Sequence, residues 1–226
     1  MLNIKTFSFN PFQEKTILLW DDSGEGVIVD PGNHDAVETD QLTGYIARQG
    51  IRPKAIWLTH GHPDHVFGAK GLHERYDIPV YVHPDEATTL AFSGDIAQKF
   101  GLRSLDVDFP RQDIREGDVL RFGQTAFEVI DTPGHTAGGV CFLDKADKVL
   151  LSGDTLFRGA IGRTDLIGGD YDKLIVSVMD KIMGLDGDIE VIPGHGEITD
   201  IAYERTHNPF LQPFNEPEAD WDPDNL

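Results

Sequence analysis

Four times in this chain a short apolar run ends in a glycine-flanked histidine or aspartate. AIWLT (55–59) leads into HGHPDH, the run 125–131 into TPGHT, LLSGDTLF (150–157) carries Asp154, and VIPGHG (191–196) carries His195. Short apolar runs bounded by turn residues read as buried strands. Each of these strands then delivers a ligand-type side chain at its mouth, which is where open α/β sheets gather their sites. The chain is therefore expected to fold so that several strand ends meet.

The remaining elements fit that reading. Strands are predicted at 2–9, 16–20, 26–30, 55–59, 78–82, 105–109, 118–122, 125–131, 139–143, 148–152 and 188–192. Helices are predicted at 33–49, 64–76, 84–100 (with a break at glycine), 170–183 and 199–207. DDSGEG (21–26) is a polar turn between two strands, so the chain opens as an antiparallel sheet. Strands and helices alternate in two blocks, each strand-rich first and helical later, which points to α/β layers. One domain is expected over 1–210, and 211–226 reads as an acidic C-terminal tail, an extended arm rather than a domain.

The tightest feature is HGHPDH. If the chain is still extended at His60 and His62, side chains two apart face the same side. Pro63 suits the first turn of a following helix, where its missing N–H costs nothing. Asp64 and His65 then lie in that turn, aimed back at the same space. One strand-to-helix junction thus offers three imidazoles and a carboxylate, a set that binds Zn²⁺, Fe²⁺ or Mn²⁺. His135, Asp154 and His195 add ligand types from the three later strand ends. His34 and His73 sit in polar helical surroundings, His83 precedes a proline at a strand end, and His207 lies at the last helix; none is expected to bind metal.

Composition narrows the partners. The formal net charge of −20 opposes nucleic-acid binding, which depends on Lys and Arg. An anionic substrate would need a local cation or metal ions to hold it. Cys141 is the single cysteine, so neither an internal disulfide nor a cysteine-based zinc site can form, which suits a reducing cytoplasm. In GVCFLD it reads as a buried strand thiol. No run is long and apolar enough to span a membrane, and the first residues lack the features of a secretory signal. A cytoplasmic protein with a small-molecule substrate, no nucleic-acid partner and no membrane partner is expected.

The order VDPG, THGHPDH, PGHT, SGDTLF, PGHG resembles the metallo-β-lactamase superfamily. SGDTLFRGAIGRTDL, between PGHT and PGHG, resembles more narrowly glyoxalase II (hydroxyacylglutathione hydrolase) of the short bacterial type, as does YERTHNPFLQ (203–212). The resemblance covers about residues 2–210. It implies an αββα sandwich, two mixed β-sheets flanked by helices, with two divalent metal ions at one edge, zinc first and iron or manganese as alternatives. It places His60, His62 and His135 on the first metal, and Asp64, His65 and His195 on the second. Asp154 bridges them, and Asp30 supports the site without binding metal. Gly139 stands where the family has a second histidine in PGHTxGH. Only 31 residues follow His195, too few for the family's helical glutathione-binding domain.

The implied chemistry is hydrolysis of an S-(hydroxyacyl)glutathione-type thioester by a hydroxide that the metals make available at neutral pH. Asp64 is a candidate to orient that hydroxide, a catalytic role besides its role as ligand. Arg158 and Arg163, in LFRGAIGRTDL, are candidates to hold a substrate carboxylate, although Arg163 can instead pair with Asp165. Lys173, Arg205 and Tyr171 are weaker candidates for substrate contact. Two other activities carry similar motifs. One is an iron-dependent persulfide dioxygenase, whose iron would sit on His60, His135 and Asp154. The other is a lactonase or β-lactamase.

Overall fold

The structure, a computed structural model, describes residues 1–102 and 105–212. The expected acidic tail lies outside the described residues from residue 213 on, while Leu211 is fully buried.

Two six-stranded sheets form the body. The first runs β1 (Asn3–Phe9), β2 (Glu14–Trp20), β3 (Glu25–Val29), β4 (Arg52–Trp57), β5 (Val80–Val82) and β6 (Arg111–Asp113) in that spatial order. β1 to β3 are antiparallel, and β3 to β6 are parallel. The second contains β7 (Val119–Phe122), β8 (Thr125–Asp131), β9 (Val140–Asp144), β10 (Val149–Gly153), β13 (Glu190–Pro193) and β14 (Thr199–Asp200). Its spatial order is β14-β13-β10-β9-β8-β7, with only β10 and β13 parallel. Both sheets are mixed. A small hairpin, β11 (Leu156–Phe157) and β12 (Ala160–Ile161), stands outside them.

The alternation of apolar residues along β2, β3 and β4 assigns each face a separate core. Ile17, Leu19, Val27, Val29 and Trp57 meet Phe127, Val129, Phe142 and Leu151 between the sheets. Trp57 there contacts the Phe122, Phe127 and Phe142 rings, at centroid distances of 5.9, 5.6 and 5.4 Å. Leu18, Ile28 and Ile56 point the other way, onto Leu42 and Ile46 of α1 (Ala36–Gln49) and Leu72 of α3 (Ala69–Tyr76). The outer face of the second sheet packs on α5 (Tyr171–Val176), the π-helical turn Ser177–Ile182 and α6 (Ile201–His207). The layering is therefore helix, sheet, sheet, helix, as expected.

Four predicted elements differ. The helix expected at 84–100 has no break at its glycine, since it runs unbroken through Gly94 over Ala87–Lys99. The helix at 64–76 is two pieces, α2 (Pro63–Val66) and α3, parted at Gly68. Gly68 N donates to the Pro31 carbonyl at 2.7 Å, and a Cβ there would sit 1.9 Å from Asn33 Oδ1, so the chain breaks to make that approach. Residues 105–109 form no strand; Leu105, Val107 and Phe109 satisfy their alternation by packing on the first core instead. The helix at 170–183 changes pitch after Val176, where Ser177 Oγ donates to the Pro133 carbonyl at 2.7 Å.

Direction decides where the strand ends go. β8, β10 and β13 all run the same way, because β9 is antiparallel to both β8 and β10 and β13 is parallel to β10. Their C-terminal ends meet that of β4 across the sandwich, where Val140 N donates to the Thr59 carbonyl at 2.9 Å. Gly153 (φ +49°) permits this closeness, since a Cβ would lie 2.4 Å from Thr59 Oγ1. No helix among the described residues is long and apolar enough to cross a membrane.

Candidate metal centre

The four strand ends bring seven side chains together. His60, His62 and His135 form one triad and Asp64, His65 and His195 another, each with one ligand atom per residue within 4.8 Å of the others. Asp154 faces both. Its Oδ1 lies 3.4 Å from His65 Nε2, and its Oδ2 lies 3.5 Å from His135 Nε2 and 3.7 Å from His195 Nε2. His195 Nε2 is 3.2 Å from Asp64 Oδ2. The local rules hold: the chain is extended at His62 (φ −68°, ψ 150°), and Pro63 opens α2.

Backbone and hydroxyl partners orient the rings from behind. His135 Nδ1 donates to the Arg163 carbonyl at 2.7 Å and His195 Nδ1 to the Phe12 carbonyl at 3.1 Å. His65 Nδ1 meets Asp30 Oδ2 at 3.0 Å. Thr59 Oγ1 donates to Asp30 Oδ2 at 2.6 Å, which leaves its lone pair for His60 Nδ1 at 3.0 Å. In a neutral ring an outer N–H leaves the inner nitrogen a bare lone pair.

Those inner atoms test whether metal fits. His62 Nδ1 and His135 Nε2 are 2.9 Å apart, and His65 Nε2 and His195 Nε2 are 3.3 Å apart. Tetrahedral nitrogen ligands at roughly 2.0–2.1 Å from an ion stand about 3.3 Å from each other. His60 Nε2, His62 Nε2 and Asp154 Oδ1 are buried without a hydrogen-bond partner. Burial holds the pKa of His60 well below the ordinary range, helped by the neighbouring rings, and lowers that of His62 to about 3. Burial also disfavours charge on His65, but Asp154 and Asp64 overcome it and raise its pKa well above normal. Burial opposes ionisation of Asp154 too, yet His65 and the other rings hold its pKa well below normal. Neutral His60 and His62 beside an ionised Asp154 are donors of the kind divalent ions take, and an ion bound at His65 would displace its proton. Gly194 makes the packing possible: a Cβ there would meet Asp154 Oδ1 at 2.5 Å and His65 Cε1 at 2.6 Å.

Two supports merit separate mention. Asp30, expected as a supporting residue, is buried at the end of β3 with a left-handed φ of +47° that non-glycine residues seldom adopt. It accepts Thr59 N at 2.7 Å as well as Thr59 Oγ1, so one carboxylate steadies His65 directly and His60 through Thr59. Asp30→Asn removes an acceptor from that relay and is expected to weaken metal affinity roughly 10–100-fold, as loss of such partners does. Chelator competition on the folded variant measures it; unchanged affinity would remove Asp30 from the support. The sequence reading passed over Glu86. It is fully buried before α4 (Ala87–Lys99), accepting Gly61 N through Oε2 at 2.7 Å and Gly138 N through Oε1 at 2.8 Å. Gly61 lies between His60 and His62, and Gly138 follows His135, so Glu86 ties two ligand loops. The only local signal was a carboxylate opening a helix after HPD.

Other expectations are corrected. Arg158 does not reach the cluster: its guanidinium lies over the Tyr203 ring at 4.5 Å, and Nη1 donates to the Ile198 carbonyl at 3.3 Å. Arg163 lines the site, but Asp165 holds its guanidinium through two bonds of 2.7 and 2.8 Å. Lys173 pairs with Asp170 at 3.3 Å, Arg205 donates to the Met183 and Leu185 carbonyls, and Tyr171 stands exposed at the start of α5. At Gly139, where the family has a histidine, a Cβ would make a tight contact with the Thr132 carbonyl oxygen at 3.1 Å. His83, at the strand end before Pro84, is buried, with Nδ1 accepting Asp85 N. Cys141 is, as expected, a fully buried strand thiol, and burial raises its pKa to about 11.

A cavity of about 220 Å³ opens over the cluster. His62, Asp64, His135, Asp154 and His195 form its floor, and Phe12, Ile96, Phe100 and Leu166 part of its wall. No serine, threonine, cysteine or lysine is among the described residues that line it.

Comparison with known proteins adds the following. The sequence model of a family described as the metallo-β-lactamase superfamily matches residues 9–195. The hydroxyacylglutathione hydrolase GloC of Haemophilus influenzae is 38% identical over 212 residues, spanning 93% of this chain and 98% of that one. The crystal structure of the BLEG-1 B3 metallo-β-lactamase superposes with a TM-score of 0.84 at 36% identity, covering 93% of this chain and 99% of that one. TTHA1623 in a di-iron-bound form superposes with a TM-score of 0.83 at 35% identity, covering 92% and 100%.

Proposed function

The chain belongs to the metallo-β-lactamase superfamily, and within it we propose a dinuclear metal-dependent hydrolase of S-(hydroxyacyl)glutathione-type thioesters. The observation that carries the substrate class is the near-full-length likeness to GloC. His60, His62 and His135 would hold one ion, Asp64, His65 and His195 the other, with Asp154 between them. Bound there, divalent ions lower the pKa of water and polarise a carbonyl. Zinc is the first expectation; the di-iron relative makes iron compatible.

The chain's own residues then have defined tasks. Among the described residues that line the cavity none is a hydroxyl, thiol or amine nucleophile, which supports water as the attacking group. Asp64 Oδ2, beside His195 and facing the cavity, is placed to accept a hydrogen bond from that water and aim it. The anchored rings keep their lone pairs fixed through turnover, so little reorganisation is needed at the moment of attack. The single cysteine supports a reducing, cytoplasmic setting.

Metal-loaded protein is expected to hydrolyse S-D-lactoylglutathione, read as thiol release, and to lose that activity on chelation. No turnover by protein that contains metal would remove this substrate class. A second reading, β-lactam hydrolysis, is favoured by the likeness to BLEG-1 and is tested by chromogenic cephalosporin cleavage. Oxygen uptake with persulfide by iron-loaded protein tests the dioxygenase alternative.

A further inference from the structure

One wall of the cavity is apolar without need. Phe12, from the turn between β1 and β2, and Phe100, at the end of α4, meet edge to face with centroids 5.3 Å apart. The two are 36% and 50% exposed, so neither ring fills a core. Ile96 and Leu166 extend the same surface. Exposed aromatic groups gathered beside a reactive centre mark a ligand surface.

The charges point the same way. Among the described lining residues the one Lys or Arg is Arg163, and Asp165 already holds it. A carboxylate pressed against this wall would lose water and gain no partner. The cavity, about 220 Å³, is also smaller than the roughly 300–1,000 Å³ of sites that enclose drug-sized ligands. It can enclose one side of a thioester and leave the other in solvent. A glutathione-type thiol half is charged and suits the solvent side.

We infer that the Phe12–Phe100 wall, with Ile96 and Leu166, receives the acyl group and selects for apolar acyl chains over short polar ones. This rests on the thioesterase reading above. Phe12 serves twice, since its carbonyl also holds His195 Nδ1, so Phe100 is the position at which the wall can be changed without touching the ligand cluster.

The test uses the full metal-loaded chain and thioesters of one thiol, glutathione, with D-lactoyl, acetyl, butyryl and hexanoyl groups. kcat/KM is expected to rise about three- to fourfold per methylene buried, until the cavity is full. Phe100→Ala should flatten that slope and Phe100→Leu, which keeps apolar bulk, should retain most of it. Measurable turnover with no dependence on chain length, or a slope indifferent to Phe100→Ala in a folded variant, overturns the inference and leaves the thioesterase reading standing. No turnover of any member removes both.

Discussion

Asp154→Ala is expected to abolish dinuclear metal binding and to cut kcat/KM by more than about 100-fold, the ceiling for losing a mere outer partner. Asp154 faces both triads, reaching His65 with Oδ1 and His135 and His195 with Oδ2. Alanine leaves six candidate ligands but nothing between the two sets. It also strips His65, fully buried, of a carboxylate that favours its charged form. Asp154→Asn keeps the volume and removes the charge, so it separates loss of a bridge from loss of packing. Metal content per chain and thiol release are the measurements. A variant that still binds two ions tightly would refute the bridging role.

Glu86→Ala is expected to be the costliest change outside the cluster. It orphans the buried N–H groups of Gly61 and Gly138, and each unsatisfied donor costs about 1–3 kcal/mol. Stability should fall by roughly 2–6 kcal/mol in denaturant unfolding of metal-loaded protein. Metal affinity should fall with it, because the His60–His62 and His135 loops lose their common tie. Glu86→Gln keeps one acceptor and should lose less. A variant with wild-type stability and metal affinity would make Glu86 dispensable.

Much of this site was legible in the sequence because it is built from local rules. His60 and His62 share a side by strand periodicity, and Pro63 starts the next helix by lacking an N–H. Glycine flanks each later ligand where a close approach is needed, as at Gly153 and Gly194. The less legible elements were those whose partners are remote. The 105–109 alternation looked like a strand, but alternation records burial, not pairing, and here the burial is met by an irregular segment. Gly68 broke a helix for the sake of Pro31 and Asn33, over thirty residues upstream.

The sequence by itself determined which ligand-type residues stand at strand ends and that strands and helices form α/β layers, while the sandwich of two mixed sheets was what the motif resemblance implied. These follow from period, turn chemistry and motif, all short-range. Only the tertiary structure decided that β8, β10 and β13 point the same way and bring His135, Asp154 and His195 to His60. It alone decided that Glu86 ties two loops, that Arg158 turns onto Tyr203, that Asp165 occupies Arg163 and that Phe12 meets Phe100. The physical reason is that a side chain's partner is chosen by free energy among everything within reach. For Arg163 that partner was two residues away and visible as an alternative. For Phe12 and Phe100 it lay 88 residues along the chain, and only the packed sandwich brings such distances to contact.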